Sequence, residues 1–158
     1  MIRSVTNLSA THDPLERHLG YWMRLVSNEV SDAFARALSD RQISVAEWVA
    51  LNHIANRANS TNSAMAASIG MTRGAVSKIL DKLESKGLVS RVASADDSRV
   101  QILSLTRDAR RLLPKLTAIA DGNDDHFFSV LDESERNTLR DLLQKLAELN
   151  QIREIPIE

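Results

Sequence analysis

A helix that the sequence predicts from Thr72 to Lys86 carries cationic and hydroxyl side chains on one face. Its apolar residues recur at helical spacing and should turn inward (Val76, Ile79, Leu80 and Leu83). The residues left on the outward face are Thr72, Arg73, Ser77, Lys78, Asp81 and Lys82. A guanidinium matches the paired acceptors on the edge of a guanine, and an ammonium group suits a phosphate. This face therefore has the chemistry of a surface that binds nucleic acid.

The residues near the start of this helix have separate expected roles. Arg73 is the first candidate for reading base edges. Ser77 can donate or accept a hydrogen bond, and Gly74 allows the helix to approach a partner closely. Lys78 and Lys82 are expected to contact phosphates.

The segment before the helix supports this interpretation. Met65-Ala-Ala-Ser-Ile-Gly70 predicts a short helix that ends at a glycine turn. Two helices joined by such a turn form the helix-turn-helix pattern, whose second helix enters the major groove of DNA. Thr61, Asn62 and Ser63 stand at the start of the short helix, where they are further candidates for phosphate contacts.

The segment after the helix predicts a β-hairpin, or wing. Residues 88–93 and 99–105 change to alternating periodicity, which is typical of two strands with one buried face. The polar connection between them has a charged tip at Asp97 and Arg99. Because Asp97 is unsuited to facing phosphates, we expect it to hold Arg91 or Arg99 by a fork-shaped ion pair.

Longer helices should flank this central lobe. Asp13, Pro14 and Glu16 combine three helix-start signals, so the sequence predicts an N-terminal helix over residues 13–38 behind a flexible arm at 1–12. The pattern Ser44-x-x-Glu47 is a capping box that begins the next helix.

Two further helices are predicted near the C-terminus. Thr106 can cap the first of them, in which Pro114 and Gly122 predict a kink or weak point. A second capping box, Asp132-x-x-Glu135, begins the last helix, which carries an amphipathic row of leucines. The predicted fold class is mainly α with a small β-hairpin wing.

Composition and charge agree with this class. The chain of 158 residues contains 43% apolar residues and 26% charged residues, which suits one globular domain. It has no Cys, which excludes disulfides, thiolate metal sites and thiol redox switches. No apolar run reaches membrane-spanning length and no signal peptide is evident, so we expect a soluble cytoplasmic protein without membrane contact.

The net charge of −1 conceals an uneven distribution. Residues 71–115 contain ten basic and five acidic side chains, whereas residues 116–158 contain four basic and ten acidic ones. A basic segment inside a neutral chain indicates a local surface for a polyanion. The acidic segment should lie away from that surface.

Neither a metal site nor an enzyme is expected. Asp121-x-Asn123-x-Asp125 begins like a calcium loop, but His126 occupies its glycine position. The four histidines at positions 12, 18, 53 and 126 lack a clustered ligand spacing, although a metal sensor shared across two copies stays open. No nucleophile and base are suitably arranged, and no cofactor is predicted.

A small-molecule crevice is a further prediction. Trp22, Met23 and Trp48 could line it, and His53 or Arg24 could meet a carboxylate. The alternative for the aromatic residues is ordinary core packing.

The ordered motifs of residues 66–106 resemble the MarR family of winged-helix transcriptional regulators, and the resemblance extends over about residues 13–150. The segments that carry it are Ala66–Gly70, Met71-Thr-Arg-Gly-Ala-Val-Ser77, Leu83-Glu-Ser-Lys-Gly-Leu-Val-Ser-Arg91, Asp97-x-Arg99 and Leu103-Ser-Leu-Thr106. The chain departs from the family at Ala109, where glycine is usual, and at Pro114. Arg99 resembles the family residue that enters the minor groove.

The resemblance implies a symmetric homodimer that binds a pseudo-palindromic double-stranded DNA operator. The N-terminal helix (13–38) and the C-terminal helices (106–158) would form the dimer, and residues 39–105 would form the DNA-binding lobe. Many members release DNA when a small aromatic or anionic ligand binds between these parts. This chain would then act as a repressor with such an effector. Two alternatives are a constitutive regulator without a ligand and a winged-helix protein-interaction module that has lost DNA binding.

Overall fold

A computed structural model describes residues 14–95, 97 and 99–152 of the chain. Within these residues it contains six helices and one antiparallel hairpin, which confirms the predicted fold class. The elements are α1 Leu19–Ser39, α2 Val45–Ala55, α3 Asn62–Ile69, α4 Arg73–Ser85, β1 Val89–Ala93, β2 Gln101–Leu105, α5 Arg107–Phe128 and α6 Glu133–Leu149.

Side-chain caps define where five of the helices begin. In each case the capping oxygen accepts the backbone N–H three residues later, which satisfies one of the donors that a helix leaves free at its start. The capping residues are Ser44, Thr61, Thr72, Thr106 and Asp132. Both predicted capping boxes are confirmed. The sequence therefore specifies these boundaries through local hydrogen bonds.

The predicted start of the N-terminal helix is wrong. The helix begins at Leu19 behind a turn at residues 14–17, and His18 occupies the capping position without a side-chain cap. Proline suits a turn as well as a first helical position. The Trp22 indole Nε1–H donates to the Glu16 carbonyl at 2.7 Å, which holds the turn against the helix. Asp13 and the predicted arm at 1–12 lie outside the described residues.

Helix α5 runs unbroken through Pro114 and Gly122, so neither residue ends it, and the predicted kink or weak point stays a prediction. Proline removes one backbone donor, and packing on both sides offsets this loss. Ala109 and Leu116 are fully buried at 0% exposure. Nearer the C-terminal end, the Asn123 amide donates to the Val30 carbonyl of α1 at 3.1 Å.

The core lies under the helix-turn-helix and the hairpin. Its fully buried large side chains come from every layer of the lobe and from the flanking helices: Leu38, Leu51, Met65, Ile69, Val76, Leu80, Leu83 and Leu116. The hairpin is tied to the loop before α3, because the Leu103 N–H donates to the Ser60 carbonyl at 2.8 Å. Helix α4 is thus supported along its inner face by Val76, Leu80 and Leu83.

One ion pair joins the end of α4 to the start of α2. Glu47 is only 3% exposed, and its carboxylate accepts from the Lys86 ammonium at 2.7 Å and from the Ser44 N–H at 2.8 Å. Lys86 also donates to the Gln42 carbonyl at 2.7 Å. A buried carboxylate needs such partners, because removing a charge from water is costly unless it is paired.

Replacing Lys86 by Met should lower the free energy of unfolding by about 2 kcal/mol, since a buried carboxylate would lose its charged partner. Lys82→Met is the matched control, because Lys82 is exposed and has no carboxylate partner among the described residues. It should change stability by no more than about 0.5 kcal/mol. Urea unfolding followed by circular dichroism measures both. Equal losses in the two variants would show that the ion pair does not stabilise the fold.

Candidate nucleic-acid interface

The recognition helix presents the predicted face to solvent. Gly70 adopts a left-handed conformation with φ of 72°, which ends α3 and turns the chain into α4. Because Val76, Leu80 and Leu83 are buried, the opposite side of the helix is left exposed. The exposed residues of the predicted set are Thr72, Arg73, Gly74, Lys78 and Lys82, and Ser77 is half-buried.

Charge pairing leaves the cations of this face available. Among the described residues, neither Arg73, Lys78 nor Lys82 forms an ion pair. The Thr72 hydroxyl accepts the Ala75 N–H at 3.2 Å, so its acceptor caps the helix while its proton can still be donated outward. The face therefore offers unpaired positive charge and hydrogen-bond donors at the start of the helix.

The wing contradicts part of the predicted ion pairing. Arg91 on β1 binds the carboxylates of Asp81 and Glu84 on α4, so Asp97 does not hold it. The Asp97 carboxylate instead accepts the backbone N–H of Arg99 at 2.9 Å. Such a bond between residues two apart is typical of a turn stabilised by Asp, which sequence reasoning had not distinguished from an ion pair. The Arg99 side chain stays exposed at the tip.

The three candidate phosphate-binding residues at the start of α3 differ in their exposure to solvent. The Thr61 hydroxyl accepts the Ala64 N–H at 3.1 Å and so serves as a cap. Asn62 is half-buried, whereas Ser63 is exposed. Ser63 is thus the most accessible of the three for a phosphate contact.

The residues of the predicted ligand crevice divide into two groups. Trp48 and His53 line one cleft of about 380 Å³, together with Val49, Asn52, Asn56, Arg57 and Ile69. Trp22, Met23 and Arg24 lie on the exposed first turns of α1 and do not line it. The Trp48 ring packs edge-on against Phe34, which follows Trp22 by about 18 Å along the helix. Within one chain, therefore, the structure brings together only Trp48 and His53.

The surroundings of His53 in this cleft favour its neutral ring. Burial lowers its pKa below the ordinary value of 6.5, and the positive charge of Arg57 lowers it further. The Arg57 guanidinium lies 2.5 Å from Nδ1 of the ring, and a guanidinium can only donate. Nδ1 must therefore accept, and the ring proton resides on Nε2. Arg57 was missed by sequence reasoning, although its spacing of four residues from His53 on a helix could have indicated it.

Two ring N–H groups at this cleft have no acceptor among the described residues. These are Nε2 of His53, which is 6% exposed overall, and Nε1 of Trp48. Both residues line the cleft with Arg57, beside apolar Val49 and Ile69, although the two ring nitrogens themselves are buried. Such a lining suits an acceptor-rich anion attached to an apolar group.

The other sequence features have simple structural roles. Asp121, Asn123 and Asp125 lie inside helix α5, so they do not form the loop that calcium binding needs. Over the described ranges, no three His, Asp or Glu side chains are grouped to hold a metal. No helix there is long and apolar enough to cross a bilayer.

Comparisons with known proteins agree with the geometry. Residues 43–100 match the family model described as MarR family. A Thauera aromatica protein named as a transcriptional regulatory protein for the hcr operon is 28% identical over 136 residues, which cover 85% of this chain and 82% of that relative. The structure of CouR from Rhodococcus jostii RHA1 bound to p-coumaroyl-CoA is 26% identical, covers 85% of this chain and 95% of its own, and has a TM-score of 0.73.

A second solved structure contains DNA. The S. aureus MepR–DNA complex is 25% identical, covers 83% of this chain and 97% of its own, and also has a TM-score of 0.73. The recognition helix and wing described above are therefore found in a fold that binds DNA. Residues 43–100 therefore match the MarR family model, and most of the chain is similar to transcriptional regulators and to solved structures of this winged-helix fold.

Proposed function

We propose that the protein is a dimeric, sequence-specific repressor that leaves a pseudo-palindromic operator when a small aromatic or anionic ligand binds. The observation that carries this proposal is the unpaired basic face of α4, formed by Arg73, Lys78 and Lys82, beside exposed Arg99 at the wing tip. An interaction module would instead present apolar residues on this face.

The two DNA-binding elements would divide the work. Arg73 in the first turn of α4 reads guanine in the major groove, and Ser77 assists it. Lys78 and Lys82 neutralise phosphates, which contributes affinity without sequence preference. Arg99 enters the minor groove, where narrow A·T stretches concentrate negative potential.

Arg73→Ala should weaken binding to the operator by about 1–3 kcal/mol, because it removes a base contact. Binding to a duplex of scrambled sequence should weaken much less. Lys82→Ala should weaken both duplexes alike and reduce the salt slope by about 0.9, because it removes a phosphate contact. Arg99→Ala should also lower operator affinity. Fluorescence anisotropy on the promoter region beside the protein's own gene, across a salt series, measures all three.

Arg140→Ala on α6 is the control, since it removes an exposed arginine outside the lobe. If DNA binding is weak, shows no sequence preference and is unchanged in Arg73→Ala and Arg99→Ala, the interaction module is favoured. Attention would then move to a protein partner.

The proposed dimer is formed by the flanking helices. Early α1 exposes Leu19, Trp22 and Val26 at 80%, 41% and 48%, and α6 exposes Leu142 and Leu146 at 54% and 47%. No residue of α6 is buried within the chain. Contiguous apolar faces of this kind mark an interface, and a two-fold dimer would cover both at once. It would also hold two recognition helices about 34 Å apart, as successive major grooves require.

Replacing Leu142 and Leu146 together by Glu should convert the dimer to a monomer, because charge would enter an apolar interface. Sedimentation velocity gives the oligomeric state directly. Val92→Glu is the matched control, since Val92 is 58% exposed but lies on β1 of the lobe. A double variant that stays dimeric would place the interface elsewhere.

The proposed effector site is the cleft of Trp48, His53 and Arg57. Its donors would bind a carboxylate, and Trp48, Val49 and Ile69 would pack on an apolar ring. CouR is solved with p-coumaroyl-CoA, an aromatic anionic compound, which supports an effector of this general class. The effector would act through its differential affinity for DNA-compatible and DNA-incompatible spacings of the two lobes.

Salicylate should lower the operator affinity of the wild type, and His53→Leu should weaken salicylate binding about tenfold or more by removing a donor to a charged group. His53→Gln keeps an N–H donor and should retain more of the response. Neither variant should change operator binding without ligand. If salicylate binds but leaves operator affinity unchanged, the constitutive alternative is favoured.

The lowered pKa of the His53 ring predicts that the stability of the fold depends on pH. Because the pKa of His53 is lowered on folding, its contribution is fully present above the unfolded value of about 6.5 and is lost as the pH falls towards the folded value. Thermal unfolding at pH 7.5 and pH 5.5 should therefore show a smaller loss for His53→Gln than for the wild type. An equal loss in both would exclude His53 as the source.

A further inference from the structure

One face of the wing carries no charged side chain. The ladder pairs Val92 with Ile102. It continues one pair further towards the tip, because the Ser94 N–H donates to the Val100 carbonyl at 2.8 Å. Side chains alternate between the two faces of a ribbon, so Val92, Val100 and Ile102 share one face, which we call the outer face. Its other members within the paired residues are the serines at positions 90, 94 and 104.

The two faces of the wing differ in their contacts. On the inner face, Val89 and Leu103 are only 2% and 4% exposed, and Arg91 binds the carboxylates of α4. On the outer face, in contrast, Val92 is 58% exposed and Val100 is 39% exposed. A single exposed valine is ordinary, but two at diagonal positions of a ribbon lie about 7–8 Å apart and form one apolar patch. This patch is open to a partner.

The turn at the wing tip joins the patch to Arg99. Asp97 accepts two backbone N–H groups, that of Arg99 on its carboxylate and that of Val100 on its carbonyl, each at 2.9 Å. Neighbouring Cα atoms are about 3.8 Å apart. Wherever the tip places Arg99, therefore, Val100 lies beside it.

This position favours DNA as the partner of the patch. Under the proposed function Arg99 enters the minor groove, which is about 6 Å wide. The walls of that groove are deoxyribose sugars, whose C–H groups offer apolar contact, and proteins that bind there commonly use apolar side chains beside their cations. A protein bound to the patch would instead compete with the operator for the tip, since Val100 adjoins Arg99.

We propose that Val92 and Val100 pack against the deoxyribose walls of the minor groove and make the wing select a narrow, A·T-like groove. A narrow groove brings its walls onto the two side chains. In a G·C stretch the groove is wider and guanine adds an N2 amino group to its floor, so the apolar contact is lost. This inference rests on the proposed function and adds two specificity-determining residues to it.

Fluorescence anisotropy on the promoter duplex beside the protein's own gene tests the inference. Hydroxyl-radical footprints of the wild type and Arg99→Ala first locate the base pairs that the wing covers. Those pairs are then made A·T, G·C or inosine·cytosine, because inosine keeps the major-groove acceptors of guanine but lacks its N2 amino group. The proteins are the wild type, the double variant Val92→Thr with Val100→Thr, and the control Val130→Thr. Val130 is 83% exposed and lies outside the wing.

The wild type should bind the A·T and inosine·cytosine duplexes alike and the G·C duplex more weakly. The double variant should bind the A·T duplex about tenfold more weakly, because two methyl groups at the interface become hydroxyls. Its preference for A·T over G·C should shrink. Its salt slope should equal that of the wild type, since no phosphate contact is removed. Val130→Thr should change each affinity by less than about twofold.

A double variant that binds all three duplexes like the wild type would overturn the inference. Equal losses on A·T and G·C duplexes would also overturn it, since the valines would then act on the wing itself and not on the groove. A smaller salt slope in the double variant would show that Arg99 is displaced, with the same consequence. A wild type that binds no operator would overturn the proposed function together with this inference, whereas tight operator binding that ignores the valine changes would overturn this inference alone.

Discussion

The ion pair between Glu47 and Lys86 constrains the position of the recognition helix relative to the rest of the chain. It joins residues 39 positions apart in sequence and lies where α4 ends and α2 begins. Lys86 also holds the carbonyl of Gln42, in the loop that follows α1. Because breaking the pair would leave an uncompensated buried charge, separating the end of α4 from the start of α2 is costly. The exposed basic face of α4 is thereby held to helix α2, which also carries His53.

Internal pairing also determines which charges face outward. The acidic side chains of α4, Asp81 and Glu84, are taken by Arg91 of the wing, which ties the hairpin to the recognition helix. Because Arg91 pairs with both carboxylates, Arg73, Lys78 and Lys82 are left without an ion pair among the described residues. The basic surface therefore results from selective pairing as much as from composition, since residues 71–115 contain five acidic side chains as well as ten basic ones.

Sequence reasoning succeeded where structure depends on neighbouring residues. The caps at Ser44, Thr106 and Asp132 and the left-handed glycine at position 70 act within one helical turn, so their spacing can be read directly. Sequence reasoning was wrong where one residue can adopt several local conformations or form several hydrogen bonds. Pro14 lies in a turn instead of at a helix start. The Asp97 carboxylate accepts the backbone N–H of Arg99 instead of pairing with an arginine side chain.

Other features depend on residues that are distant in sequence. Pro114 is tolerated because buried residues anchor α5 on both sides, which local propensity does not report. The Glu47–Lys86 pair arises only when α2 is packed against α4, and Ile69 joins Trp48 and His53 in one cleft only when α3 is packed beside α2. The exposed basic face was predictable because it needs only helical periodicity. The cleft was predicted only in part, because Trp48 and His53 line it but Trp22, Met23 and Arg24 do not.

Helix α2 connects these distant features, which bears on how a ligand could affect DNA binding. It contains 11 residues, so it is a rigid element about 16 Å long. Its first turn holds Glu47 and thus the end of the recognition helix, while its last turn and the residues after it hold His53 and Arg57 at the cleft. A ligand bound to those residues acts on the same rigid body that positions α4. A small rotation of α2 would then be transmitted through Lys86, and no contact between ligand and DNA is needed for the two to exclude one another.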